Sequence, residues 1–490
     1  MSAYKWTPII DVPENWQALI TEDLASLATI WQDRRRHLEG SKALSKFIVQ
    51  LQRQWAIETG IIEGLYTLDR GVTQTLIEQG IKGSLIPHDK VNKPVSAIIP
   101  ILKDQESVIE GLFDFVKSTR LLSTSYIKEL HQALTAHQDT TEGLDQFGRL
   151  IEVPLKRGEW KTFPNNPTRP DGSIHEYCPP EHVSSEMDCL VAMYEVHQAT
   201  GVSPEVEAAW LHHRFTQIHP FQDGNGRVAR ALATLIFLRA GWFPLVVVSD
   251  QHRNDYINAC EEADKGDLQS LVNLFNLIQK QAFKQALSIS SDIIEEEKST
   301  ESVIAAAVEK MKERKAKTPS DKQKVFDLSS ILEVHSEDVL NKVCADIQEQ
   351  VKQIDADILS EVNQSQESTQ NRFFVQTIEI AKALHYFADL RTYYHWKRLA
   401  IWKPGQRQTD IVVSFHSLGA EFSGVMVATA FVMHRWTAEG QEGTFDGPHA
   451  VCRDVFQFAY NQDAQKVRKR FDVWLNEALI SGLDLWRRQL

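Results

Sequence analysis

A mainly α-helical protein, with a β-hairpin beside its helical core and a separate small α+β region towards the C-terminus, is predicted by three observations. Apolar residues recur at helical spacing from Glu14 to about Leu68 and again from Val183 to about Leu287. Between them RLIEVPLKRGEWKTFPNNPTRPDGSIHEY, from Arg149 to Tyr177, carries short strand-like runs around a centre rich in Pro, Asn, Asp and Gly. Late in the chain DIVVSFHSLG and GVMVATAFVMHRW read as strands around a glycine-containing turn.

At 490 residues the chain exceeds what one core usually serves, so several domains are expected. In the first region, 1–110, Trp16, Leu19, Ile20, Leu24, Leu27 and Ile30 mark amphipathic helices. The second, 111–288, holds the helical core and the hairpin, placed at about 158–178. The third, 289–370, is rich in Glu, Lys, Ser and Gln and reads as a charged linker or helical arm. In the fourth, 371–490, RFFVQTIEIAKALHYFADL and QKVRKRFDVWLNEALI read as helices flanking the two strands.

Composition narrows the function. With 53 basic against 66 acidic residues the net charge is −13, which disfavours broad attraction to nucleic acid or anionic lipid. Five cysteines without C-x-x-C spacing suggest neither a disulfide framework nor a zinc site. No basic-then-apolar leader and no long apolar run is present, so a cytoplasmic protein without a membrane span is expected.

The stretch with chemical content is IHPFQDGNGRVARALATLIF, from Ile218. Gly224 and Gly226 flank Asn225, allowing backbone N–H groups to approach a ligand, and helical periodicity resumes at Val228. A helix N-terminus behind a glycine loop favours phosphate. Arg227 and Arg230, three apart, are expected to project from one side and hold a polyphosphate. Asp223 suits magnesium, which takes one or two carboxylates and fills its other positions with phosphate oxygens and water. His219 is left to act as a base. The neighbouring His212 and His213 are assigned to packing.

HPFQDGNGRVAR resembles the signature of the Fic family, H-P-F-x-[D/E]-G-N-G-R-x-x-R, at every specified position from His219 to Arg230. The resemblance implies a helical Fic core and a protein adenylyltransferase that moves AMP from ATP to a Ser, Thr or Tyr hydroxyl of a target protein. It implies that His219 deprotonates the hydroxyl, that Pro220 and Phe221 anchor the loop, and that Asp223 holds Mg2+. Gly224, Asn225 and Gly226 would cradle the α-phosphate, and Arg227 and Arg230 the outer phosphates. It also implies a flap that docks the target by strand pairing, here Lys161, Thr162, Ile174, His175 and Glu176. HRNDYINAC, from His252, is similar to the adenine-pocket region and makes Tyr256 a stacking candidate.

Upstream, TGIIEG from Thr59 to Gly64 resembles the family's inhibitory pattern [S/T]-x-x-x-E-[G/N], placing an inhibitory helix at about 55–68. By that likeness Glu63 pairs with Arg230 and withholds it from the γ-phosphate. Relatives with this glutamate also remove AMP, so the reverse reaction, or both, stays open. An ATP-sensing module without transfer is a further alternative. A homodimer is expected by the same likeness.

Overall fold

The computed structural model describes residues 4–118, 120–144, 150–169, 171–289, 319–351, 353–405, 407–420, 422–436 and 444–490. The chain divides into two compact units, one of residues 1–21 and 45–282, the other of 22–44 and 283–490.

In the first unit the apolar periodicity becomes α2 (Lys42–Ile62), α3 (Arg70–Gln79), α4 (Val95–Lys117), α5 (Thr124–Leu134), α6 (Pro180–Thr200), α7 (Pro204–Ile218), α8 (Asn225–Arg239), α9 (Ser249–Asp264) and α10 (Gln269–Leu287). The expected boundary at residue 110 is not one, because α4 runs straight through it and packs on α8. Helices α7 and α8 form the centre: nearly every residue of both is buried, so neither keeps a polar face. Trp55 of α2 is fully buried and its indole N–H donates to Thr234 of α8 at 3.0 Å. The N-terminal segment lies along α7, where Trp210 and Arg214 both donate to the carbonyl of Ile10.

Regular strand pairing falls upstream of the expected flap. Strands β1 (Thr140–Leu144) and β2 (Leu150–Pro154) form an antiparallel pair. The described residues of 158–178 are instead an extended loop that folds back through a bridge, Thr168 to Ile174, closed where Arg169 N–H donates to Ser173 O at 2.8 Å. The prolines and asparagines of FPNNPT interrupt any longer ladder.

The second unit is α+β, as expected of 371–490, but takes in 22–44 and 283–370 as well and has more strands than its sequence suggested. Strands β3 (Leu359–Gln364), β4 (Ala388–Trp402), β5 (Gln408–Leu418), β6 (Val425–Trp436) and β7 (Thr444–Ala450) follow one another in an antiparallel sheet, and β8 (Phe456–Ala459) pairs with β6. On one face α11 (Pro319–Gln350) and α13 (Ala464–Arg487) bury Val325, Leu332, Leu340, Phe471 and Leu475 against Ile411, Val413, Phe415 and Ala428. On the other, α12 (Phe374–Ala383) covers Trp396, Val412 and Phe431. Helix α1 (Glu22–Leu38) belongs here too, with Arg470 holding Asp23 at 2.6 Å. Of the expected arm at 289–370, residues 290–318 lie outside the described residues, and α11 is a packed part of this domain.

Candidate active site

The end of α7 and the start of α8 build the site. Helix α7 closes on His219, whose N–H bonds Phe215 O at 2.9 Å and whose φ is +52°, a left-handed conformation uncommon outside glycine. Its Nδ1 lies 3.3 Å from the carbonyl of Thr216 and so carries the proton, which leaves Nε2 as the basic nitrogen. Burial pushes its pKa down to about 3, and the charge of Lys161 acts in the same direction, so the imidazole is neutral.

The loop 220–224 is fastened by its own residues. Asn225 returns its side chain to Phe221, accepting from its N–H at 2.9 Å and donating to its carbonyl at 2.7 Å. Its amide is therefore a brace of the loop, leaving only its backbone N–H to face a phosphate. Phe221 is fully buried and stacks on His131 at 3.8 Å, and Pro220 is buried with it. His131 Nδ1 accepts from Gly158 N–H, so its Nε2 carries the hydrogen given to the carbonyl of Asp223 at 3.0 Å.

Gly224 takes φ +80° at the N-cap of α8, and no side chain caps that terminus. The anion found over it is the protein's own. A Cβ built on Gly226 would lie 2.3 Å from Glu63 Oε1, so this position admits the carboxylate only because it is glycine.

Glu63 arrives there from the end of α2, which stops at Ile62 rather than running through the expected 55–68. Gly64, at φ +68°, ends it in a Schellman motif, with Leu65 N–H bonded to Gly60 O and Gly64 N–H to Ile61 O, both at 3.0 Å. Arg230 is fully buried and answers this turn with three bonds: Nη1 to Glu63 Oε1 at 2.8 Å, Nε to Thr59 Oγ1 at 2.7 Å and Nη2 to Thr59 O at 3.0 Å. Burial works to lower its pKa, but Glu63 outweighs this and raises it.

The two arginines part company. Three-residue spacing puts their backbones on one side, yet each guanidinium follows its partners. Arg227 turns to Leu134 O at 3.0 Å and Gln138 Oε1 at 2.5 Å, with Asp223 3.9 Å away. Asp223 accepts from Gly224 N–H, from Gln138 Nε2 and from Thr141 Oγ1 of the β1–β2 hairpin. Burial would raise its pKa, but Arg227 and these donors prevail and hold it below the ordinary carboxylate range. Asp223 and Arg227 line a cavity of about 360 Å³ with Leu65, Thr141, Glu142 and Glu152.

Tyr256, the stacking candidate, lies in the interior. Its ring meets His212 edge-on, and its hydroxyl lies 2.6 Å from His212 Nε2 and is hydrogen-bonded with Arg230. His212 and His213 are buried, as assigned, the latter bonded to Asp264 at 3.0 Å. Of the flap residues, Thr162 and Ile174 are exposed, and Glu176 N–H is bonded to Tyr4 O. His175 is buried and stacked on Tyr4, and Lys161 is buried under the motif rather than presented to solvent. His131, Gln138, Thr141, Asn165 and Tyr177 were not singled out from the sequence, since no local pattern marks them.

Comparison with known proteins bears on the family of the domain that carries the signature. The Fic/DOC family profile matches residues 121–237. Protein adenylyltransferase fic-1 of Caenorhabditis elegans is 26% identical over 247 residues, covering 49% of this chain and 42% of that protein. Protein adenylyltransferase Fic of Nematostella vectensis is 25% identical over 236 residues, 48% of each. A Fido domain-containing protein of Dictyostelium discoideum is 41% identical over 87 residues, 18% of this chain and 60% of that one. This chain thus spans less than half the length of the first two relatives. Among solved structures, Fic-1 from C. elegans aligns with a TM-score of 0.43 at 22% identity, covering 55% of this chain and 72% of that one. The signature from His219 to Arg230 and the family match around it identify residues 121–237 as a Fic/DOC domain.

Proposed function

We propose that the chain is a protein adenylyltransferase that transfers AMP from ATP to a Ser, Thr or Tyr hydroxyl of a target protein and is restrained by its own Glu63. The observation that carries this reading is the Glu63 carboxylate lying over Gly226 and bonded to Arg230, a negative charge where a phosphate would be gripped.

In this reading the target hydroxyl gives its proton to His219 Nε2 as its oxygen attacks the α-phosphorus. The bond to the β-phosphate oxygen breaks and pyrophosphate leaves in line. A triphosphate beside the imidazole raises its basicity, because negative charge favours imidazolium. Gly224, Gly226 and the Asn225 N–H would face the α-phosphate, Arg230 the γ-phosphate once Glu63 lets go, and Arg227 a phosphate reaching the cavity beside Asp223. The ionised, half-exposed Asp223 suits Mg2+, and among the described residues no group of three metal-binding side chains competes for it. Magnesium would supply charge neutralisation on the leaving phosphates. Thr162, Ile174 and Glu176 are the flap positions offered to a target segment.

The test is AMP incorporation from α-labelled ATP into protein acceptors. His219→Ala is expected to abolish incorporation while leaving nucleotide binding intact, and transfer retained in that variant would put the base elsewhere. One observation favours a second reading, removal of AMP: the Glu63 carboxylate lies against Gly226 at the cradle, and in that reading it would orient a water. Following AMP release from a pre-modified target separates the two directions.

A further inference from the structure

We propose that Tyr177 is a positioning residue for the transfer, its ring lying face-on to the His219 imidazole and fixing the plane in which that base meets the incoming hydroxyl. The inference rests on His219 being the base and adds a second side chain on which its action depends.

The two rings are 3.7 Å apart and within 10° of parallel. Among the described residues the imidazole makes one hydrogen bond, to Thr216 O, and it is long, at 3.3 Å; a single long bond leaves rotation of the ring soft. A face-on aromatic neighbour removes that freedom, since turning the imidazole would drive its edge into the phenol ring.

Tyr177 is itself held on several sides. Its N–H donates to Asn166 Oδ1 at 2.9 Å. Behind it His175 sits at 4.7 Å, and His175 stacks on Tyr4 at 4.4 Å. The Lys161 ammonium lies 5.7 Å from the Tyr177 ring centre.

The same loop is clamped to the signature. Lys161 N–H donates to Pro220 O at 2.8 Å, and Lys161 Nζ to Ile218 O at 3.4 Å and Asn165 Oδ1 at 2.8 Å. Asn165 Nδ2 donates to Phe221 O at 2.8 Å and Gln222 O at 3.4 Å. The support of Tyr177 and the loop carrying the base are thus one hydrogen-bonded body. Stacking, not the phenol hydroxyl, is the operative contact.

The test compares Tyr177→Leu and Tyr177→Phe in the full chain, with and without Glu63→Gly, using α-labelled ATP and cell-lysate proteins as hydroxyl acceptors. Leucine should slow transfer at saturating ATP by roughly tenfold to a hundredfold, while the ATP KM stays within about twofold and phenylalanine keeps most of the rate. Undiminished transfer in the leucine variant, or an equal loss in both, overturns the proposal. NMR of 13Cε1-labelled histidine supplies a reading independent of activity. The His219 signal, assigned by its loss in His219→Ala, should be shifted upfield by the ring in wild type and Tyr177→Phe and return downfield in Tyr177→Leu. Should the leucine variant not fold, the absence of that upfield shift from wild type overturns the proposal. Transfer surviving in His219→Ala would instead remove the base assignment, a failure the NMR signature distinguishes.

Discussion

Replacing Glu63 by glycine should turn transfer up, and the structure sets the scale. Arg230 makes three bonds to the inhibitory turn, two of them to neutral oxygens of Thr59 and one to the Glu63 carboxylate. A hydrogen bond to a charged group contributes about 1.5–3 kcal/mol net, a factor of roughly 10 to 150 in rate if it must be broken before ATP is gripped. The Glu63 side chain keeps 24% of its exposure, so solvent screens the pair and the lower half of that range applies. The expected outcome is an increase of roughly tenfold to fiftyfold in AMP incorporation from α-labelled ATP. Glu63→Gln, which keeps the shape and loses the charge, should give a smaller rise. Because Arg230 stays buried without its carboxylate partner, keeping the neutral groups of Thr59 and Tyr256, the glycine variant should also lose about 1–3 kcal/mol of stability. A folded Glu63→Gly chain with no more activity than wild type would refute the restraint.

Further outcomes follow from the same contacts. Gly226→Ala should lower the Tm of wild type, by the equivalent of about 1–3 kcal/mol, because its Cβ meets Glu63 Oε1 at 2.3 Å. In Glu63→Gly that penalty should largely vanish, and equal penalties in both backgrounds would contradict the observed placement of the carboxylate. Acid should weaken the first unit. His131 and His219 have pKa values lowered to about 4 and 3 by burial, and His212 and His213 are lowered likewise. The unfolded chain therefore binds more protons below about pH 6.5, and stability falls from there towards about pH 4. Amide-exchange protection of α7, corrected for intrinsic rates, should drop between pH 7 and pH 5, and unchanged protection would count against neutral buried imidazoles.

The parts legible in the sequence were those whose partners are close in the chain. Loop, base and helix start follow from residues 218–230, and Glu63 was found because its pattern is short and ends on a glycine that stops α2. What escaped was set by contacts across long separations. Asp223 meets Gln138 and Thr141 more than eighty residues away, and Arg227 was drawn aside by that same Gln138. Helix α11 reads as a charged arm because Asp, Glu and Lys residues are interspersed along it with the stripe of Val325, Leu328, Leu332, Leu340 and Ile347, all buried. Strand β4 was hidden by Lys397 and Arg398, charged residues that are buried because Glu337 and Gln364 meet the first and Glu361, Asn363 and Asp410 the second.

The central claim, that a glycine-lined loop and the helix it opens hold nucleotide phosphates once Glu63 is gone, is tested most directly by calorimetric titration of ATP into the Glu63→Gly chain. Saturable binding that requires Mg2+, is lost on Asp223→Ala and is weakened about tenfold or more by Arg230→Gln is the predicted result. A folded chain showing no magnesium-dependent affinity for any nucleotide would contradict it.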